Sequence, residues 1–321
     1  MATSWTRPAG ALAGLLTALA LAGCGLAPAT PTAVRLLLTR EFGARVIQRR
    51  GPLKAGEGES VLQLLSSADA VRTNTGAVTS IGNLTAAGAR HTNGSVQSAS
   101  GERWVYYVNG VQAPHWPAAT SVYAGDHIWW DLHDVSRAPP TPAAIVGAFP
   151  EPFLNGIEGK RLPVRVECTS DASACAAVTA SLRHFGVPAA IDAVGSGGAP
   201  ETLRVIVGPW ERIDGDLEAQ SIALGPQLSG VYARFDAGGR QLVLLDAAGR
   251  PVRTLDADAG LIAATQRTKE APVWVVTGID EAGVELAARA FNQPTLEDRF
   301  AVAAQAAGTT ALPVPEGSGG V

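Results

Sequence analysis

Three prolines in eight residues, SRAPPTPA at 136–143, divide this chain of 321 residues. Proline lacks a backbone N–H and fixes φ, so such a run cannot enter a sheet interior and stiffens whatever it joins. The pattern changes across it. Residues 34–135 are rich in aromatic and strand-forming residues, whereas 150–308 alternate apolar runs with stretches of helical period. With 46% hydrophobic residues, the chain can fill two ordinary cores. The pattern predicts a first domain at 34–135, a Pro-rich linker at 136–149, a second domain at 150–308 and a disordered tail at 309–321. The 25 basic and 29 acidic residues give a net charge of −4, so no electrostatic footprint for nucleic acid is expected.

The N-terminus reads as an export signal. Arg7 supplies a positive n-region, and an apolar stretch runs from about Ala9 to Ala22. It ends in Leu21-Ala22-Gly23-Cys24, which resembles the bacterial lipobox. That resemblance implies a signal peptide at 1–23, a lipidated Cys24 as mature N-terminus and a tether at 24–33. It also implies a cell-membrane location facing outside the cytoplasm, with the membrane as partner. A plain transmembrane anchor is the alternative, but the apolar core is short for a span. Two acyl chains, not one, give stable anchoring.

Of three cysteines, the lipobox removes Cys24. Cys168 and Cys175 remain, in a compartment that permits disulfides. Their spacing fits neither a redox pair nor half a zinc site, so a local disulfide is expected.

In the first domain, Val34 to Thr39 and Ala44 to Arg50 read as a hairpin about Phe42-Gly43. A short helix is expected in ESVLQLLSSADAV, with Ser60 as N-cap and an apolar stripe of Val61, Leu62, Leu64, Leu65 and Val71. Extended segments come next, with a turn signal at Asn109-Gly110. In GDHIWWDLHD at 125–134, alternation sends Ile128, Trp130 and Leu132 to a core face. His127, Trp129, Asp131 and His133 take the opposite, outer face. The sum is ββαβββ, a β-grasp-like sheet over one helix.

The strings V-L-x-L-L at 61–65, G-E-R-W-V-Y-Y-V-N-G at 101–110 and Y-A-G-D-H-I-W-W at 123–130 carry a resemblance. In order and spacing they look like the transcobalamin C-terminal-like domain, a β-grasp module of mostly undefined function on bacterial surface proteins. In the animal cobalamin carriers, aromatic side chains of this module contact the corrinoid. Those carriers hold most of the ligand with a separate α-helical barrel, which nothing in this sequence resembles.

The second half reads as an α/β sandwich, giving an α+β chain overall. Strands are expected at RLPVRVE, LRVIVGPW and VWVVTGID, and a hairpin or meander at 232–252. Helices are expected at EAGVELAARAF, capped by Asp280, and at DRFAVAAQAA.

No G-x-S-x-G, H-E-x-x-H, P-loop or dinucleotide motif occurs, so an enzyme is not expected. His127 and His133 lie six strand residues apart, roughly 20 Å, too far for one ion. Neither a metal nor a cofactor is expected. The aromatic group is the better lead. Trp129, Trp116, His115, His127 and Tyr106 are the candidates for a ligand-facing surface, with Pro114 and Pro117 stiffening the His115-Trp116 tip. Packing of that surface against the second domain is the alternative. The expected function is an exported, lipid-anchored protein capturing a small ligand, conceivably a corrinoid. The other reading is an envelope module that contacts protein or glycan.

Overall fold

In a computed structural model, the described residues are residue 1 and all between 33 and 315 except 87–88, 93–94, 99–100, 137–141, 170–171, 197–198 and 268–269. Local chemistry sets the first elements. β1 (Val34–Arg40) and β2 (Arg45–Leu53) form an antiparallel hairpin, followed by α1 (Val61–Ala68). The helix ends at Ala68, and Val71, expected on its stripe, begins a strand instead. The Ser60 side chain accepts from the Gln63 amide while the Gln63 side chain accepts from the Ser60 amide, a reciprocal cap that starts α1.

β3 (Glu102–Val108), β4 (Val111–Gln112) and β5 (His127–Asp134) complete a five-stranded sheet ordered β2-β1-β5-β3-β4, with β1 and β5 parallel. Asn109 and Gly110, both at positive φ, turn the chain between β3 and β4, as the Asn-Gly signal requires. Leu36, Leu38, Trp104, Tyr106, Ile128, Trp130 and Leu132 share one face and close over Val61, Leu64 and Leu65 of α1. This is a β-grasp-like sheet.

The second half is built on β6 (Val164–Cys168), α2 (Ala172–His184), β7 (Ala190–Ala193), β8 (Leu203–Pro209), β9 (Gly260–Thr265), β10 (Val273–Gly278), α3 (Glu281–Ala290), β11 (Ala301–Gln305) and β12 (Gly308–Leu312). The strands form one sheet ordered β7-β6-β8-β10-β9-β11-β12. The first four are parallel and the rest antiparallel. α2 and α3 cover one face through Val178, Leu182, Val284 and Ala287. A meander of Ala233–Phe235, Leu242–Leu245 and Pro251–Leu255 covers part of the other. Asp280 caps α3 by accepting from the Gly283 amide at 2.7 Å. Cys168 and Cys175 form a disulfide between the end of β6 and α2.

Three further expectations are corrected. Phe300 to Ala304 are buried, and 301–305 form strand β11 rather than a helix. The alanines favour a helix, but pairing with β9 and β12 inside the core overrides propensity. Residues 309–315 are not a disordered tail. They include β12, and the Val314 amide donates to Leu245 at 2.8 Å; residues 316–321 lie outside the described residues.

The 136–149 linker is not a spacer either. Its prolines at 139 and 140 lie outside the described residues, but 143–149 read AAIVGAF and are largely buried. The Gln112 amide donates to Ala143 at 2.9 Å and the Ile145 amide to Gly110 at 2.8 Å, so this stretch extends the β4 edge. The Val146 amide donates to Phe300 of the second half at 3.2 Å. Gly147 makes this passage possible. A Cβ there would lie 2.6 Å from both the Arg299 backbone and the Trp129 ring.

The outer face of the first sheet therefore has a cover. Leu37, Tyr107 and Trp129 join one core with Phe300, Tyr232 and Ile206. Trp129 meets Phe300 edge-on at 5.3 Å between ring centroids. Trp129→Ala is expected to destabilise the chain by about 3–5 kcal/mol in urea unfolding. A loss below about 1 kcal/mol would contradict this packing.

Candidate functional site

The expected ligand-facing set splits. Trp129 and Tyr106 are buried, and His127 is only 7% exposed. The outer face is covered because the second half offers its own apolar surface. Tyr106 stacks on Trp130 at 4.7 Å, its cross-strand partner. Its hydroxyl donates to the His115 carbonyl at 2.6 Å and lies 2.8 Å from Thr120 Oγ1, which pins the tip. His115 and Trp116 are exposed as expected, Trp116 to 58%. Cys24 lies outside the described residues.

The polar residues of the covered face serve the fold. The Asp131 carboxylate is fully buried and accepts four hydrogen bonds. Donors are the Phe42 amide at 3.0 Å, the Gly43 amide at 2.9 Å, His133 Nδ1 at 2.6 Å and the Thr39 hydroxyl. Glu41, Phe42 and Gly43 all have positive φ, the conformation that turns successive amides toward one acceptor. Trp129 Nε1 donates to Thr39 Oγ1 at 2.6 Å, so the tryptophan is tied to the same network. His133 stacks on Phe42 at 4.1 Å.

A second buried network crosses the seam. Asn109 Nδ2 donates to Asp126 Oδ1 and to the Gly156 carbonyl, each at 2.8 Å. Asn109 Oδ1 accepts from the His127 amide at 2.8 Å. Asp126 also accepts from the Tyr123 amide at 2.8 Å, which closes the turn into β5. Burial raises the Asp126 carboxyl above its ordinary value, against the pull of those donors.

Beside this network opens a cavity of about 600 Å³. β1 and β2 give Arg35, Leu37, Arg49 and Arg50; the start of β5 gives His127. The segment after the linker gives Glu151 and Leu154, and the second half gives Phe185 and Glu297. The walls thus combine apolar side chains with several converging charged and polar groups.

The electrostatics are specific. Glu151 is fully buried; its carboxylate accepts from the Asn155 amide at 2.9 Å and from Asn155 Nδ2 at 2.5 Å. Burial pushes the carboxyl up to about 7, against Asn155 and the Arg35 charge. The protonated form is therefore favoured on folding, and that stabilisation is lost as pH rises through about 7. Burial first, then the Arg35 and Arg49 charges, lower His127 to about 3, so its imidazole is neutral. The Ala148 backbone bonds that ring, while Nδ1 is buried with no partner among the described residues.

Arg49 is held at the rim by Glu297 at 3.0 Å and by Asp298. Arg35 is different. Its guanidinium lies 4.0 Å from Glu151, beyond hydrogen-bond range.

A second cavity of about 560 Å³ surrounds Arg204. There the guanidinium donates to Glu167 at 2.8 and 2.9 Å, Asp216 at 2.5 Å and Glu218 at 3.3 Å. Its donors are spent on the protein, so this is an ion cluster that ties β6 and β8 to the helical turn at 217–223.

The sequence reading missed Arg35, Arg49, Arg50 and Glu151. Glu151 had a signal: a single carboxylate between two prolines in the apolar run AFPEPFL. The arginines had none, because strand positions facing a distant segment look like solvent-facing ones.

The fold and site define a β-grasp-like sheet fused to an α/β sandwich, with a polar-lined cavity at the seam. Residues 58–134 match a family model described as Domain of unknown function (DUF4430), a transcobalamin-like C-terminal family. No curated protein matches the chain. Among the described residues, no helix is long and apolar enough to cross a membrane.

Asp131→Ala strands buried amides of Phe42 and Gly43, and is expected to cost about 3–5 kcal/mol in denaturant unfolding. Trp116→Ala is expected to cost about 1 kcal/mol or less. The reverse order would place the tip, not the seam, in the structural core.

Proposed function

We propose that this chain is an exported, lipid-anchored binding protein that captures a small molecule in the cavity between its two halves. The observation that carries the reading is the His127 ring. A neutral imidazole, 7% exposed, belongs to the cavity wall, and its Nδ1 has no partner among the described residues. An unsatisfied buried polar atom costs about 1–3 kcal/mol, which a bound ligand can recover. A cavity of about 600 Å³ suits a small molecule, and its walls come from elements fixed by the shared core. Aromatic stacking of a corrinoid on Trp129 and Tyr106 has no open face to use. The lipobox-like Leu21-Ala22-Gly23-Cys24 supports export and anchoring.

A second reading has one observation in its favour. Trp116 stands exposed on a tip pinned by Tyr106, and an envelope partner would engage it there.

Thermal unfolding of the full chain against wall sugars, organic acids, cobinamide and cobalamin tests the choice. A ligand at one hundred times its Kd is expected to stabilise by about 2.7 kcal/mol. Leu154→Trp, which fills the cavity, is expected to abolish that effect. Stabilisation that survives Leu154→Trp but disappears in Trp116→Ala would move binding to the tip.

A further inference from the structure

The cavity is not chemically neutral, and its charges are unequal in how far the protein satisfies them. Arg49 is paired with Glu297 and Asp298. Arg35 and Arg50 also line the cavity, and neither has a carboxylate within hydrogen-bond distance among the described residues. Arginine recognises carboxylate and phosphate through its planar fork of donors. His127 cannot add a charge in this setting. With the ring bonded to the Ala148 backbone and neutral, Nδ1 is left as a buried acceptor, without a partner among the described residues, on a side chain that lines the cavity.

We propose that the cavity takes a small anion, a carboxylate or phosphate with a neighbouring hydroxyl or N–H. Arg35 receives the anionic group, His127 Nδ1 accepts the neighbouring donor, and Glu151 takes a proton from solvent as the anion enters. The proposal rests on the cavity being the binding site and adds the class of ligand.

The proton follows from the surroundings of Glu151. Lining the same cavity are Arg35 on β1, Arg49 and Arg50 on β2, His127 at the start of β5, and Glu297, and the charges of Arg35 and of Asp126, just before β5, act on Glu151. Asp126 and Glu297 are engaged by Asn109 and Arg49 respectively. Glu151 is different. Among the described residues its oxygens accept hydrogen bonds from Asn155 alone, while burial already holds its carboxyl up to about 7. A ligand anion drawn to Arg35, which lies 4.0 Å from Glu151, adds a like charge and offsets the charge of that arginine. Both effects favour the protonated acid.

Calorimetric titration of the full chain provides the test. The probes are glycolate, lactate, mandelate and phenyl phosphate, with lactamide and mandelamide as neutral counterparts. The anions are expected to bind at pH 6 and to weaken about tenfold per pH unit above 7. At pH 8, where Glu151 is mostly ionised before binding, the binding heat is expected to change between buffers of different ionisation enthalpy, which reports proton uptake without any variant. The amides are expected to bind at least about tenfold more weakly than the acids. Glu151→Gln is expected to flatten the pH dependence, and Arg35→Gln to weaken the anions without affecting the amides. Comparing mandelate with phenyl phosphate separates carboxylate from phosphate preference.

Amides that bind as well as acids, in a cavity still blocked by Leu154→Trp, would overturn this inference and leave the binding reading intact. Anion binding that is independent of pH would overturn the proton uptake. If no compound of either charge binds in a way that Leu154→Trp blocks, the cavity itself is not the site.

Discussion

The packing of one face of the first sheet on the second half governs the rest of the structure. Leu37, Tyr107 and Trp129 on that face are buried against Phe300 and Tyr232. Aromatic side chains bury about 150–250 Å² each, roughly 4–6 kcal/mol apiece at about 25 cal/mol per Å² before entropy is counted. A small sheet covered on one face by an eight-residue helix would otherwise expose this surface to water. With the face covered, the two halves share a core in addition to the one each has of its own, and the cavity walls cannot drift apart without exposing Trp129.

Apolar packing alone does not fix a register, and here buried polar groups do that work. Asp131 is satisfied only when the left-handed loop at 41–43 presents its amides, and Asn109 only when Gly156 lies against it. Each is costly to leave unpaired in a dry interior. Gly125 belongs to the same logic. A Cβ there would come within 2.6 Å of the Asn155 side chain, the residue that holds Glu151. The network that locks the seam thus also positions the acid in the cavity.

Much of the fold was legible from local chemistry. Ser60, Asp280 and Asn109-Gly110 mark caps and a turn by mechanisms that need no tertiary contact. Alternation correctly sorted Ile128, Trp130 and Leu132 from Trp129 and His127. What alternation could not say is what lies beyond each face, because parity is local and cover is not. The same limit explains 301–305, where an alanine-rich run becomes a strand through neighbours far away in sequence. It explains 143–149 too: the prolines drew attention away from the apolar residues that follow them. The site was less legible than the fold. Of the candidate residues only His127 lines the cavity, and its partners Arg35 and Glu151 come from opposite ends of the first 151 residues.

The central claim is that both halves share one core and so fold as one body around the cavity. Scanning calorimetry of the full chain measures this directly. A single transition, with calorimetric and van't Hoff enthalpies equal, is the predicted result. Two separable transitions, one surviving the loss of the other, would contradict it and leave the seam a surface contact rather than a core.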